Sequence, residues 1–138
     1  MRNQEVMMLK GSCLCGAVTY QLDQEIKQIV FCHCSKCRKA TGTAFNSATA
    51  IHSDKFTLLT GKDKLKSFSS SPGVHRFFCS ECGSPLYSAR DGQPETYRLR
   101  IGTLDSTISP TEKIHIFTGS KAEWIELCDS NPKYEERP

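Results

Sequence analysis

Seven of the eight cysteines in this 138-residue chain stand in three closely spaced groups. The groups have the patterns CxC, CxCxxC and CxxC, and they consist of Cys13 and Cys15; of Cys32, Cys34 and Cys37; and of Cys79 and Cys82. Cysteines so close together are poor disulfide partners for each other, whereas their thiolates chelate a soft metal ion well. The spacing therefore predicts zinc sites rather than a disulfide framework.

The first and last of these groups each offer two ligands and each is followed by a glycine, Gly16 or Gly83. Four thiolates make a closed site, and the zinc that they bind contributes directly to folding. Spacing alone leaves open which groups share an ion. The CxCxxC group is favoured as a unit of its own, because three ligands within six residues close on one ion at little entropic cost.

The CxCxxC group provides three ligands where a tetrahedral zinc takes four. The fourth could be His33, Cys128, a distant histidine, or a water or substrate. An extended CxC turns the His33 side chain away from the metal, which favours a hydrogen-bonding role beside the site. Cys128 is predicted to be a free thiol. Three thiolates leave Zn²⁺ with a net charge of −1, which favours chemistry with an external thiol over generation of hydroxide.

Basic residues crowd the same segment, namely Lys36, Arg38 and Lys39. They could attract a carboxylate-bearing substrate, or they could form a solvated face of a short helix. The formal net charge is +3, and seven thiolates with two Zn²⁺ ions would bring it to about zero. The basic excess is therefore a poor reason to expect a nucleic-acid partner.

The elements that must position these groups are mainly short strands. Alternating apolar residues with turn residues between them predict strands in AVTYQL, VHRFFC, PLYSA, TYRLRI and KIHIF. SKCRKATG is predicted to form one or two helical turns with Ser35 as the N-cap and Gly42 at the end. No apolar run is long enough for a signal peptide or a membrane span, so we expect a cytoplasmic protein.

The stretches GSCLCGAVTY, FCHCSKCRKATGTAF, SPGVHRFFCSECGSPLY, IGTLD and HIFTGSKAEW resemble the glutathione-dependent formaldehyde-activating enzyme (GFA) family, also called the centromere protein V family. The resemblance runs from about Gly11 to Trp124, and we predict a single domain over 9–125 with a tail over 126–138. It implies an Mss4-like, mainly β fold of antiparallel sheets, with zinc knuckles and one or two short helices.

The resemblance also implies roles for the cysteines. Cys13, Cys15, Cys79 and Cys82 would hold a structural zinc, and Cys32, Cys34 and Cys37 a catalytic one. The family reaction condenses glutathione with formaldehyde to S-hydroxymethylglutathione and is classed with the carbon–sulfur lyases. The expected partners are a glutathione-like thiol and an aldehyde. His33 is the nearest candidate for a general base.

Two other functions remain open from the sequence. A non-enzymatic zinc module could bind a protein or a nucleic acid, but such a module has no need of a metal with only three protein ligands. An iron–sulfur protein would also use soft thiolates, although CxC groups combined with a CxxCG knuckle are more typical of zinc. The sequence therefore favours the zinc enzyme.

Overall fold

The structure is a computed structural model that describes residues 8–138. Within that range the helix α1 spans Ser35–Thr41. The strands are β1 Met8–Ser12, β2 Thr19–Asp23, β3 Gln28–Cys32, β4 Asn46–His52, β5 Phe56–Thr60, β6 Leu65–Ser71, β7 Val74–Cys79, β8 Pro85–Arg90, β9 Gln93–Arg100 and β10 Glu112–Ile116. The predicted mainly β fold is confirmed. The described part of the chain includes no helix of the length and apolar character that crossing a bilayer requires.

The strands form two sheets. The smaller has the order β1-β2-β5 and the larger the order β10-β3-β4-β9-β8-β7-β6. Neighbouring strands are antiparallel, as expected, except that β10 lies parallel to β3. The long stretch of chain between β3 and β10 makes this arrangement possible, because a parallel pair requires a crossover connection.

The core contains residues from both sheets. In β2 and the turn before it, Val18, Tyr20 and Leu22 are almost wholly buried, as the alternation of apolar and polar residues predicts. From β9, Leu99 enters the same cluster, with Tyr97 packed against it. One face of the larger sheet therefore packs against the core, and the alternate residues of its strands project from the opposite face.

The helix α1 begins differently from the prediction. Its N-cap is Cys34, whose Sγ accepts a hydrogen bond from the Cys37 backbone N–H at 3.3 Å. The assignment of Ser35 as the N-cap is therefore wrong by one residue, because the sulfur takes the place that a hydroxyl usually fills. The helix ends at Gly42, as predicted, with its backbone in the left-handed region.

The C-terminal segment lies along β10. The backbone N–H of His115 donates to Pro132, that of Tyr134 donates to His115, and that of Phe117 donates to Glu136, each at 2.9 Å. These bonds hold much of the predicted tail against the parallel edge of the larger sheet. They also bring the end of the chain to the face that the core leaves free.

Candidate metal centres and adjoining cleft

The first cysteine cluster joins two turns that are distant in sequence. The four sulfurs of Cys13, Cys15, Cys79 and Cys82 all lie within 4.8 Å of one another. The Sγ of Cys15 is 3.7 Å from that of Cys13 and 3.8 Å from that of Cys79. A tetrahedron with Zn–S bonds of about 2.3 Å has S···S edges of about 3.8 Å, so this donor set fits Zn²⁺.

Both turns of this cluster depend on glycine. The backbone N–H of Gly16 donates to Cys13 at 3.1 Å, and that of Gly83 donates to Cys79 at 2.7 Å. The φ angles of these glycines are 82° and 81°, a left-handed conformation that other residues adopt at a cost. Cys79 is fully buried and Cys13 is nearly so. The cluster therefore ties the N-terminal strands to the β7–β8 connection, with Cys13 and Cys79 buried and Cys15 exposed.

The second cluster is built where β3 passes into α1. The sulfurs of Cys32, Cys34 and Cys37 lie within 4.8 Å of one another. Among residues 8–138, no fourth cysteine, histidine or carboxylate ligand atom joins them at this separation. Three soft donors on one short segment can hold Zn²⁺ and still leave a coordination position to an outside group.

The pKa values of Cys32 and Cys37 in the second cluster are shifted in opposite directions. A hydrogen bond from the Cys32 thiol, together with the neighbouring Arg76 guanidinium, lowers the pKa of Cys37 to about 5. The Nη2 of Arg76 lies 3.8 Å from Cys37 Sγ. The pKa of Cys32 is raised in turn, first by its hydrogen bond to Cys37 and then by burial. The site thus stabilises thiolate at Cys37, the form that binds a metal.

A cleft of about 310 Å³ opens beside this cluster on the face of the larger sheet that is turned away from the core. Cys32 and Cys37 line one part of it. The remaining lining comes from six strands, mostly at alternate positions, and from the C-terminus. It includes Asn46, whose Oδ1 is buried without a hydrogen-bond partner. The three-cysteine cluster therefore faces a space that could admit a small molecule.

The model of the glutathione-dependent formaldehyde-activating enzyme family matches residues 8–120. This match includes both cysteine clusters and most of the cleft. The chain belongs to this family. The grouping of the cysteines in the structure is the one that the family resemblance implied.

Known relatives of this GFA chain differ in how much of it they share. A protein of Halomonas elongata named "Putative glutathione-dependent formaldehyde-activating enzyme" is 32% identical over 130 residues, 88% of this chain and 82% of its own length. A protein of the same name from Podospora anserina is 30% identical over 89 residues, and this chain spans only 42% of it. An uncharacterized lyase of Schizosaccharomyces pombe is 28% identical over 80 residues, 58% of this chain and 56% of its own length.

A crystal structure of a Rhodobacter sphaeroides protein has a similar fold. The TM-score is 0.59 at 20% sequence identity, and the alignment covers 91% of this chain and 98% of that one. The two chains therefore share an architecture, and at this level of sequence identity the likeness shows the fold alone.

The structure places the other predicted site residues away from the cleft. Lys36 and Lys39 are exposed and Arg38 is half-buried on α1, and none of the three lines the cleft. His33 is fully buried and its Nε2 bonds to His115. Cys128 is exposed and belongs to neither cysteine cluster.

Sequence reasoning missed the residues that dominate the cleft. Arg76, Arg90, Arg98, Arg100 and Arg137 all line it. A partial signal was present in TYRLRI, because the alternation that directs Leu99 into the core directs its two arginine neighbours to the opposite face. From sequence alone, an arginine on the outer face of a strand is expected to be exposed to solvent. Only the pairing of the strands brings these arginines together in one cleft.

Proposed function

We propose that this GFA-family protein catalyses the making and breaking of a carbon–sulfur bond between a small thiol and an aldehyde. The observation that carries the proposal is the Cys32, Cys34 and Cys37 cluster, which brings together three sulfurs and lies at the wall of a cleft. A structural zinc site usually has four protein ligands. Three protein ligands beside a cleft large enough for a small molecule are typical of a catalytic site.

The two clusters would have different roles. Cys13, Cys15, Cys79 and Cys82 would hold a structural Zn²⁺, and Cys32, Cys34 and Cys37 a second one. A Zn²⁺ bound by the three thiolates would supply a coordination position at which a substrate thiol loses its proton readily. Both clusters need reduced cysteines, which supports the prediction of a cytoplasmic protein.

The residues of the cleft support addition of a thiolate to an aldehyde. Arg76 lies beside Cys37 and projects into the same cleft. Its guanidinium is placed to donate to the aldehyde oxygen as negative charge develops there. The addition of a thiol to formaldehyde conserves protons, because the proton that leaves sulfur is the one that the alkoxide needs. A water molecule in the cleft can carry it.

His33 does not fit the role of the general base. Burial, first, and then the neighbouring charge of His115 lower the pKa of His33 to about 4. It is also absent from the cleft lining, which among residues 8–138 includes no histidine and no aspartate or glutamate side chain. We therefore assign His33 to holding the loop between Cys32 and Cys34.

The activity can be tested by NMR exchange spectroscopy of glutathione with formaldehyde, with and without zinc-loaded protein. We expect the protein to accelerate formation of S-hydroxymethylglutathione, and Cys34→Ser to abolish the acceleration. Equal rates with wild-type protein, with Cys34→Ser and without protein would refute the formaldehyde reaction. The same result with every thiol and aldehyde tried would favour a non-enzymatic zinc module.

A further inference from the structure

Four arginines are brought to one face of the larger sheet by its register. Arg76 on β7 lies opposite Ser88 on β8, and Ser88 lies opposite Arg98 on β9. Arg100 follows two residues later on the same face, and Arg90 ends β8 at the same side. A fifth arginine, Arg137, reaches the cleft from the C-terminal segment.

These guanidinium groups are not balanced by protein carboxylates. Among residues 8–138, no carboxylate oxygen lies within 4 Å of any of the five. Arg76 Nε and Arg98 Nη1 are buried without a hydrogen-bond partner. The cleft also contains the cluster cysteines and the terminal residue Pro138, and three thiolates on Zn²⁺ carry only one net negative charge. Arg100 is buried and Arg76, Arg90 and Arg98 are half-buried, whereas Arg137 is exposed. A charge shielded from water without a counter-charge is costly, so this excess favours binding of an anion in the cleft.

Arg100 shows the strain of this arrangement most directly. Its side chain is only 6% exposed, and its Nη1 bonds to Ser88 at 3.4 Å and to the Arg98 carbonyl at 3.0 Å. Burial, first, and then repulsion from Arg76 lower the pKa of Arg100 to about 10. An anion in the cleft would offset both effects at once.

The size and the neutral part of the lining restrict the anion further. The cleft volume of about 310 Å³ is at the small end of ligand sites. Between the arginines the floor is made of small residues, Ala48, Ala50 and Ser88. Apart from the cluster thiolates, the side-chain acceptors of the described lining are neutral, such as Asn46 and Gln28. The terminal carboxylate of Pro138 is the one carboxylate among the described lining residues, against five guanidinium groups, so a ligand ammonium group would meet mostly positive charge.

We propose that the cleft binds a compact dianion, so that the thiol or aldehyde used by this protein carries a phosphate group or two carboxylates and no ammonium group. This inference rests on the proposed function, because it names the substrate class of the same site. Glutathione, the thiol of the activity assay, fits the charge pattern less well, because its γ-glutamyl end carries an ammonium group beside one of its two carboxylates. We therefore expect it to react as a weaker substrate than a dianionic thiol. An arginine guanidinium can donate two parallel hydrogen bonds to the oxygens of a phosphate or carboxylate group, so several arginines suit a small dianion.

Isothermal titration calorimetry of the zinc-loaded full chain at constant ionic strength tests the inference with defined probes. Inorganic phosphate and malonate represent the two kinds of dianion, and acetate and glutathione serve as comparisons. We expect phosphate or malonate to bind at least about tenfold more tightly than acetate and glutathione. The better of the two dianions distinguishes a phosphate-bearing substrate from a dicarboxylate.

Arg98→Gln should weaken binding of the preferred dianion by at least about tenfold, with Arg90→Gln as a second variant should the first fail to fold. Lys66→Gln is the matched control, because Lys66 is exposed on β6 and its substitution makes the same change in net charge. We expect that control to bind the dianion like the wild type. Unchanged binding in both arginine variants, or equal loss in the Lys66→Gln control, would overturn the inference.

The same experiments separate this inference from the proposed function. Should the protein accelerate thiol–aldehyde exchange while phosphate and malonate bind no better than acetate, the inference fails and the function stands. Should Arg98→Gln lose dianion binding while no thiol–aldehyde pair reacts, the anion site stands and the function fails. Glutathione binding as tightly as both dianions would also overturn the inference.

Discussion

His33 Nε2 and His115 Nδ1 lie 2.8 Å apart in the interior of the protein, although 82 positions separate the two residues. The Nε2 of His115 is in turn 3.0 Å from Asp129 Oδ2. The bond to His115 holds the pKa of Asp129 well below its usual range, so the carboxylate accepts and His115 Nε2 donates. With His115 as a neutral imidazole, its Nδ1 then accepts from His33 Nε2–H. This chain of bonds anchors the loop between Cys32 and Cys34 to β10 and the C-terminal segment.

The first prediction concerns this histidine pair. His115→Phe leaves the buried His33 Nε2 without its partner, and we expect the free energy of unfolding to fall by about 1–3 kcal/mol. Urea denaturation of zinc-loaded protein measures this. His75→Phe is the control, because His75 is more exposed and bonds to the exposed Asp91. Equal losses in the two variants would contradict a specific role for the buried pair.

The second prediction concerns the four-cysteine cluster. Cys79→Ser removes a fully buried donor from it, and we expect loss of one zinc and a fall of more than about 4 kcal/mol in the free energy of unfolding. Metal analysis and urea denaturation report the two effects. Cys128→Ser changes an exposed cysteine outside both clusters and should alter neither quantity. A stable Cys79→Ser protein with two zinc ions would disprove the structural assignment.

The third prediction concerns the three-cysteine cluster. We expect about two zinc ions per chain in the wild type, the one at Cys32, Cys34 and Cys37 being released first by a chelator. Cys34→Ser should retain the fold and the first zinc, lose the second, and slow thiol–aldehyde exchange by at least about 100-fold. Chelator release followed by absorbance, with far-UV circular dichroism for the fold, checks this. Release of both ions at one rate in the wild type would argue against two distinct sites.

The fourth prediction is a pH dependence at Tyr20. The ring is 1% exposed and its hydroxyl lies 2.7 Å from Thr103 Oγ1. Burial raises the pKa of Tyr20 from 10.0 to about 12. A raised pKa contributes stability that is complete below the unfolded pKa and is lost as the pH rises through the folded one. Between pH 10 and 12 the wild type should therefore lose about 1–2 kcal/mol more stability than Tyr20→Phe does. Parallel losses in the two proteins would contradict this role for Tyr20.

The sequence predicts β2 and β7 to β10 but does not predict β1, β4, β5 or β6. β7 to β10 follow alternation that is readable in the printed sequence. β6, LKSFSSS, was not predicted, because it lies at the edge of the larger sheet and its side chains are largely exposed. A strand with little buried surface carries little periodic signal, although its backbone pairs with β7 as regularly as the others do.

The sequence by itself determined which cysteines could share a metal ion within one turn, because ligands two to five positions apart come together through local backbone geometry. It also determined the β character and the core faces, because burial acts on every second residue of a strand. Only the tertiary structure decided that Arg76, Arg98 and Arg100 meet beside Cys37 and that His115 reaches His33. These contacts depend on strand order and register, which bring together segments that are far apart along the chain. The local sequence pattern does not reveal strand order.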